Sequence, residues 1–144
     1  MEFVYLLLFA FITSRFKHSV QFASFFILIT CFICANRSIS IADTPEYKEM
    51  FEGVNSIPYE KGFLFLCDFF HGIGFSFRTF LFFISLIGLS IWLFITKIII
   101  DKRLVLMAFI VYCSYMGIYY HGIVLRAGLA VLINYIGIYY GLVK

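Results

Sequence analysis

Charge is scarce in this sequence. Only 13% of its 144 residues are Asp, Glu, Lys or Arg, where soluble domains carry about a quarter, so a surface wholly turned to water is excluded. Two prolines and ten glycines exclude a collagen-like or low-complexity disordered chain. No internal repeat is present. There is no Walker loop, dinucleotide fingerprint, Gly-x-Ser-x-Gly, zinc-protease His pair or cluster of metal ligands. Soluble enzyme chemistry and nucleic-acid binding are thereby left without support. The opening "MEFVYLLLFAFITSRFKHS" lacks a basic start and a small-x-small cleavage pattern, so it reads as a retained anchor. Cysteine is sparse as well. "CFIC" (Cys31 to Cys34) has redox spacing but no second pair nearby to complete a zinc site, and Cys67 and Cys113 also fall in apolar segments. All four read as small buried hydrophobes.

What is abundant is apolar side chain. The hydrophobic share is 63%, with 20 Phe and 10 Tyr, and the mean hydropathy is +1.01. A small soluble core cannot bury that many rings, so lipid must solvate much of the surface. A membrane span needs ~20 apolar residues. Runs at 3–16, 20–35, 79–96, 104–120 and 127–143 give about five spans, the shorter ones extended by snorkelling flanks. The expected fold is an all-α, polytopic transmembrane bundle, one integral membrane domain over 1–144, with an outer loop at 36–78. Arg15 and Lys17 follow the first span, and Lys97, Lys102 and Arg103 lie between the third and fourth. Placing both basic groups inside puts the N-terminus, the outer loop and the 121–126 turn outside.

The outer loop has structure of its own. In "ADTPEYKEMFEGVNS", Thr44 stands as N-cap, Pro45 at the first helical position, and Gly53 and Asn55 at the end. Tyr47, Met50, Phe51 and Val54 share one face. This predicts a short amphipathic helix lying on the outer membrane surface. "EKGFLFLCDFFHGIGFS" is too short to span and too apolar to float, which predicts a re-entrant or interfacial helix with Asp68 and His71 on one face.

Arg126 opens the last span. Gly122, Arg126, Ala130 and Asn134 recur at four-residue steps, with Gly137 and Gly141 continuing the stripe, while Leu125, Leu129, Leu132 and Ile136 mark another face. Small residues permit close helix packing, so the stripe is expected to face protein. Two readings of Arg126 remain open: an anchor snorkelling to headgroups, or a cation held in an outer cavity for an anionic group such as phosphate. The acidic set Asp43, Glu46, Glu49 and Glu52 is on the same side, as a solvated face or as carboxylates for sugar hydroxyls and general-base work.

These segments carry a resemblance. "NRSISIADTPEYKEMFEGV", "PYEKGFLFLCDFF" and "VLRAGLAVLI" resemble the EpsG family, which is similar to the Wzy-type polysaccharide polymerases. An Asp-x-x-x-Tyr-x-x-x-Phe segment corresponds to Asp43, Tyr47 and Phe51, and an Arg-Gln-x-x-Ala-like helix start to Arg126 and Ala130. Ala127 stands where Gln is usual, and Ala42 where Gly often precedes the Asp. The resemblance implies a multi-pass protein of the bacterial inner membrane. Such a protein polymerises polyprenyl-pyrophosphate-linked oligosaccharide into capsule, exopolysaccharide or O-antigen, beside other polysaccharide-assembly membrane proteins. It implies no bound metal and no cofactor. Arg126 and Asp43 would be catalytic, Arg126 at the pyrophosphate and Asp43, or a neighbouring Glu, at the acceptor hydroxyl. Glu46, Tyr47, Arg37, His121 and Asn134 would bind substrate. Family members usually have about twice as many spans, so the chain is expected to be an N-terminal portion, from a truncated gene and catalytically inactive if so. The alternatives are a small transporter or flippase subunit for an anionic substrate and a non-catalytic small membrane protein.

Overall fold

The structure is a computed structural model that describes residues 19–41, 43–54, 61–117, 119 and 124–143. Among these there are six α-helices and no strand: α1 (Ser19–Ala35), α2 (Thr44–Phe51), α3 (Lys61–Gly72), α4 (Phe77–Ile99), α5 (Val105–Tyr112), which widens into a π-helical turn at Cys113–Gly117, and α6 (Leu125–Val143). The expected all-helical class is therefore observed.

Helix α4 is the mast. It has 23 residues, an 18-residue stretch of it has a mean hydropathy of 2.2, and it is the one helix among the described residues long and apolar enough to cross a membrane. At 1.5 Å per residue it is ~34 Å long, against a hydrocarbon core of ~30 Å. Ser76 caps it, its hydroxyl accepting from the Thr79 amide at 3.3 Å. The Thr96 hydroxyl donates to the Trp92 carbonyl at 2.8 Å, which satisfies a polar group inside an apolar helix. Two cores form along it. Phe80, Leu81 and Ile84 join Tyr47, Met50, Phe51, Phe63 and Leu125. Further along, Leu89 joins Ala23, Ile27 and Cys31 of α1 and Val105, Leu106 and Phe109 of α5. Ser85 and Gly88 are buried between these two groups, small residues that allow α1 to lie close to α4.

Of the five expected spans, one, 79–96, coincides among the described residues with a helix of spanning length and apolarity. The segment 3–16 lies outside the described residues. Helix α1 is apolar but shorter than the length required, and α4 alone qualifies among the described residues. The segment 104–120 is not one continuous α-helix, since the π turn interrupts it. Helix α1 nevertheless exposes Phe22, Phe25, Leu28, Ile29, Phe32 and Ile33, an apolar surface of the size that marks a membrane or protein contact.

Two glycines fix where α2 and α3 end. Gly53 and Gly74, at φ 73° and 87°, have positive φ. Each closes a helix with a paired turn: Val54 N–H to Glu49 O at 2.9 Å with Gly53 N–H to Met50 O at 3.3 Å, and Phe75 N–H to Phe70 O at 3.1 Å with Gly74 N–H to His71 O at 2.9 Å. Both are Schellman closures, which need a left-handed residue at that position. Gly53 thus ends α2 as expected. The start is one residue earlier than expected: Asp43, not Thr44, is the N-cap, and its side chain makes no cap bond.

The amphipathic face of α2 is also corrected. Tyr47, Met50 and Phe51 are buried against α3 and α4, not laid on a membrane surface, because those helices offer an aromatic bed. Phe51 meets Phe80 at 5.0 Å, Phe77 at 5.9 Å and His71 at 5.3 Å between centroids. Val54 lies beyond the Gly53 turn and is 69% exposed.

Candidate functional site

The first turn of α6 is fixed by Leu125, buried in the same core as Tyr47 and Phe80. That places Arg126 beside α2, 80 residues away in sequence. Its Nη2 donates to Glu46 Oε1 at 3.3 Å, in an ion pair whose side chains are 21% and 38% exposed. Glu46 occupies the first turn of α2, where a carboxylate also favours the helix dipole.

Tyr47 is the hub of the group. Its ring is fully buried, with the Arg126 guanidinium 5.0 Å and the Arg37 guanidinium 5.7 Å from its centroid, both within cation–π range. Phe63 supports the ring at 5.5 Å. The Tyr47 hydroxyl donates to Asp43 Oδ2 at a long 3.5 Å. Burial, foremost, raises the Tyr47 pKa above its ordinary value, and Asp43 adds to the rise while Arg126 opposes it; the phenol is a neutral donor near pH 7. Burial lowers the Arg37 value, opposed by Cys34, Tyr47 and Asp43, yet a guanidinium starts so high that it stays a cation.

Five of the seven residues singled out in the sequence thus come together: Arg126, Asp43, Glu46, Tyr47 and Arg37. Formally they are two cations and two carboxylates around one phenol. His121 lies outside the described residues. Asn134 is exposed, and eight residues separate it from Arg126, ~12 Å along the helix; it does not join the group.

The expectation for the small-residue stripe is reversed. Ala127, Ala130, Asn134, Gly137 and Gly141 are exposed, while Leu125, Gly128 and Leu132 are buried. A Cβ added at Gly137 or Gly141 would meet nothing within 4 Å. The leucine face packs because α4 presents large apolar side chains to it, and Arg126 sits at the edge of that face. One consequence is an open cavity of about 510 Å³ lined by Phe63, Val124, Arg126, Ala127 and Ala130. Its volume is in the range of small-molecule sites.

Phe63 was not singled out in the sequence as a site residue, yet it touches both Tyr47 and the cavity. Its signal was the spacing Phe63, Cys67, Phe70, one inward face of α3. A second cavity of about 380 Å³, with Trp92, Thr96, Tyr112, Leu132 and Tyr135 among its walls, is mainly apolar and away from the charges. Among the described residues, no three His, Cys, Asp or Glu side chains form a group able to hold a metal.

Chemically, the arrangement offers a fixed cation at the mouth of a cavity, a second cation held by the same ring, and carboxylates next to both. Comparison with known proteins gives a match to one family model, described as the EpsG family, over residues 20–144. No curated protein and no solved structure matches.

Proposed function

The chain belongs to the EpsG family, which is linked to surface polysaccharide biosynthesis, and from that premise we propose that it joins oligosaccharide repeats carried on polyprenyl pyrophosphate at the outer face of the bacterial inner membrane. In that reaction an acceptor sugar hydroxyl attacks the anomeric carbon of the donor. The new glycosidic C–O bond forms as the bond to pyrophosphate breaks, and polyprenyl pyrophosphate leaves with the electron pair. Arg126 stabilises the charge gathering on that leaving group, an electrostatic task for which the planar five-donor fork is suited. Asp43 accepts the hydroxyl proton, and Arg37 and Glu46 bind the substrate around Tyr47.

The observation that carries this reading is the Arg126–Glu46 contact at 3.3 Å. An arginine that only snorkelled to headgroups would have no reason to be drawn onto an acidic helix 80 positions earlier. A phosphate, with more charge than a carboxylate and bidentate geometry, can compete with Glu46 for the guanidinium. The same contact supports a topology with the outer loop and the start of α6 on one side of the membrane. In that topology five spans cross, the N-terminus is outside, and Lys97, Lys102 and Arg103 are inside.

The test is polymer chain length on a gel, with protein level measured alongside, in a polymer-producing family member carrying the same arginine. Arg126→Gln should lower polymerisation by about 10²–10³-fold, as loss of a charge-stabilising donor does. Arg126→Lys keeps charge but loses the fork, and should be impaired less. Wild-type chains from Arg126→Lys would reduce the arginine to an anchor.

A further inference from the structure

Helix α3 has a face that stands exposed among the described residues. Phe65, Phe69 and Ile73 follow one another at four-residue steps and are 68%, 53% and 56% exposed. The rings of Phe65 and Phe69 stack at 6.5 Å, and the Ile73 N–H still bonds Phe69 O at 3.2 Å, which keeps Ile73 in helical register with them. The opposite face, Phe63, Cys67 and Phe70, packs inward. Asp68 and His71, both exposed, lie between these faces along one edge.

The orientation of α3 follows from its ring contacts. Phe63 and Phe70 are seven residues apart, ~10 Å along the helix axis. Both nevertheless meet the single ring of Phe80, at 5.9 Å and 5.7 Å. A helix running alongside α4 would put those two residues against positions about two turns apart, so α3 crosses α4 at Phe80. Its depth follows from the same contacts. Phe70 also stacks on Phe83 at 6.1 Å, and Phe83 is six residues into α4, ~9 Å from its outer end. That is the depth at which an in-plane amphipathic helix buries its apolar face, roughly 5–10 Å into the headgroup–acyl boundary.

We propose that α3 is an in-plane membrane anchor whose Phe65–Phe69–Ile73 ridge docks into the outer leaflet of the bilayer beside α4. Lipid is the occupant because α3 lies level with the outer turns of the spanning helix, where Phe70 meets Phe80 and Phe83. Charge placement agrees: Lys61 at the start of α3 and Arg78 at the start of α4 are both exposed, positioned for anionic headgroups. The Schellman turn at Gly74, with Phe75 against Phe70 at 5.5 Å, locks α3 to α4, so the ridge is held at that level. This anchor does not depend on the polymerase reading.

The experiment uses the full chain in vesicles of phosphatidylethanolamine and phosphatidylglycerol doped with bromolipids. The single native tryptophan, Trp92, is replaced (Trp92→Phe), and Phe69→Trp becomes the reporter. A parallel Phe65→Trp reads the same ridge, and circular dichroism verifies the helix content of each. Emission should fall with bromines at shallow acyl positions, fall less with deep ones, and resist aqueous iodide. Val54→Trp in the same background should show the reverse, quenched by iodide and not by bromolipid. Iodide quenching at 69 or 65 would overturn the proposal in favour of a water-facing ridge. Protection from both quenchers would overturn it in favour of a second copy or another protein. Neither result would alter the effect of Arg126 substitutions on chain length.

Discussion

Replacing Tyr47 by Ala and by Phe separates what its ring does from what its hydroxyl does. The ring is fully buried, touches Phe63 and lies under two guanidiniums. Truncating a buried aromatic to Ala costs ~3–5 kcal/mol, and each lost cation–π contact adds about 0.5–2 kcal/mol. Tyr47→Ala should therefore cost ~4–9 kcal/mol, a large part of a typical stability of 5–15 kcal/mol. Tyr47→Phe keeps every ring contact. It loses the long hydrogen bond to Asp43, at 3.5 Å, and the hydroxyl's interaction with Arg126, together ~0.5–1.5 kcal/mol. Equilibrium unfolding of the detergent-solubilised chain, followed by far-UV ellipticity, measures both. Equal losses for Phe and Ala would refute the ring as the hub of the site. So would a near-neutral Ala variant.

Gly74→Ala should cost about 1–2 kcal/mol in the same assay, because an L-residue resists the left-handed backbone at φ 87° although its Cβ would meet nothing within 4 Å; a neutral result would remove the Schellman turn from the account. Replacing Met50 and Phe51 together by Asp removes ~1.5–3 kcal/mol of burial per side chain and should open α3 to protease along with α2, whereas release of α2 alone would show that the two helices do not share a core. In intact cells an impermeant thiol reagent should label Val54→Cys and not Lys102→Cys, and labelling at 102 with protection at 54 would invert the topology.

The local signals were legible because they are local. Pro45 and Gly53 bracket α2, and the spacing of Tyr47, Met50 and Phe51 names its buried face, though not what covers it. Sequence periodicity assigned that face to lipid, while the structure gives it to Phe63, Phe77 and Phe80. Val54 failed as a member because it follows a left-handed glycine, where helical spacing no longer applies. On α6 both stripes were visible, but which one packs depends on the partner surface, and large apolar side chains of α4 select leucines over small residues. The π turn after Tyr112 left no mark in an evenly apolar run. The residue types of the site could be named one at a time. Their convergence could not, since the Arg126 contacts with Glu46 and Tyr47 depend on how Leu125 enters the core with Phe80, and Arg37 reaches Tyr47 from the end of α1.

The most direct test of the central claim is binding. The claim is that Arg126, set beside Glu46 and Tyr47, holds the diphosphate of an isoprenoid-linked donor. Native mass spectrometry of the detergent-solubilised chain with geranylgeranyl pyrophosphate measures this without requiring turnover. Losing a charge-assisted contact of ~1.5–3 kcal/mol should weaken binding by about 10–100-fold in Arg126→Gln, with Arg126→Lys in between and the isoprenoid alcohol binding no better to wild type than to either variant. Equal affinity of wild type and Arg126→Gln for the diphosphate, or no preference for the diphosphate over the alcohol, would contradict the account.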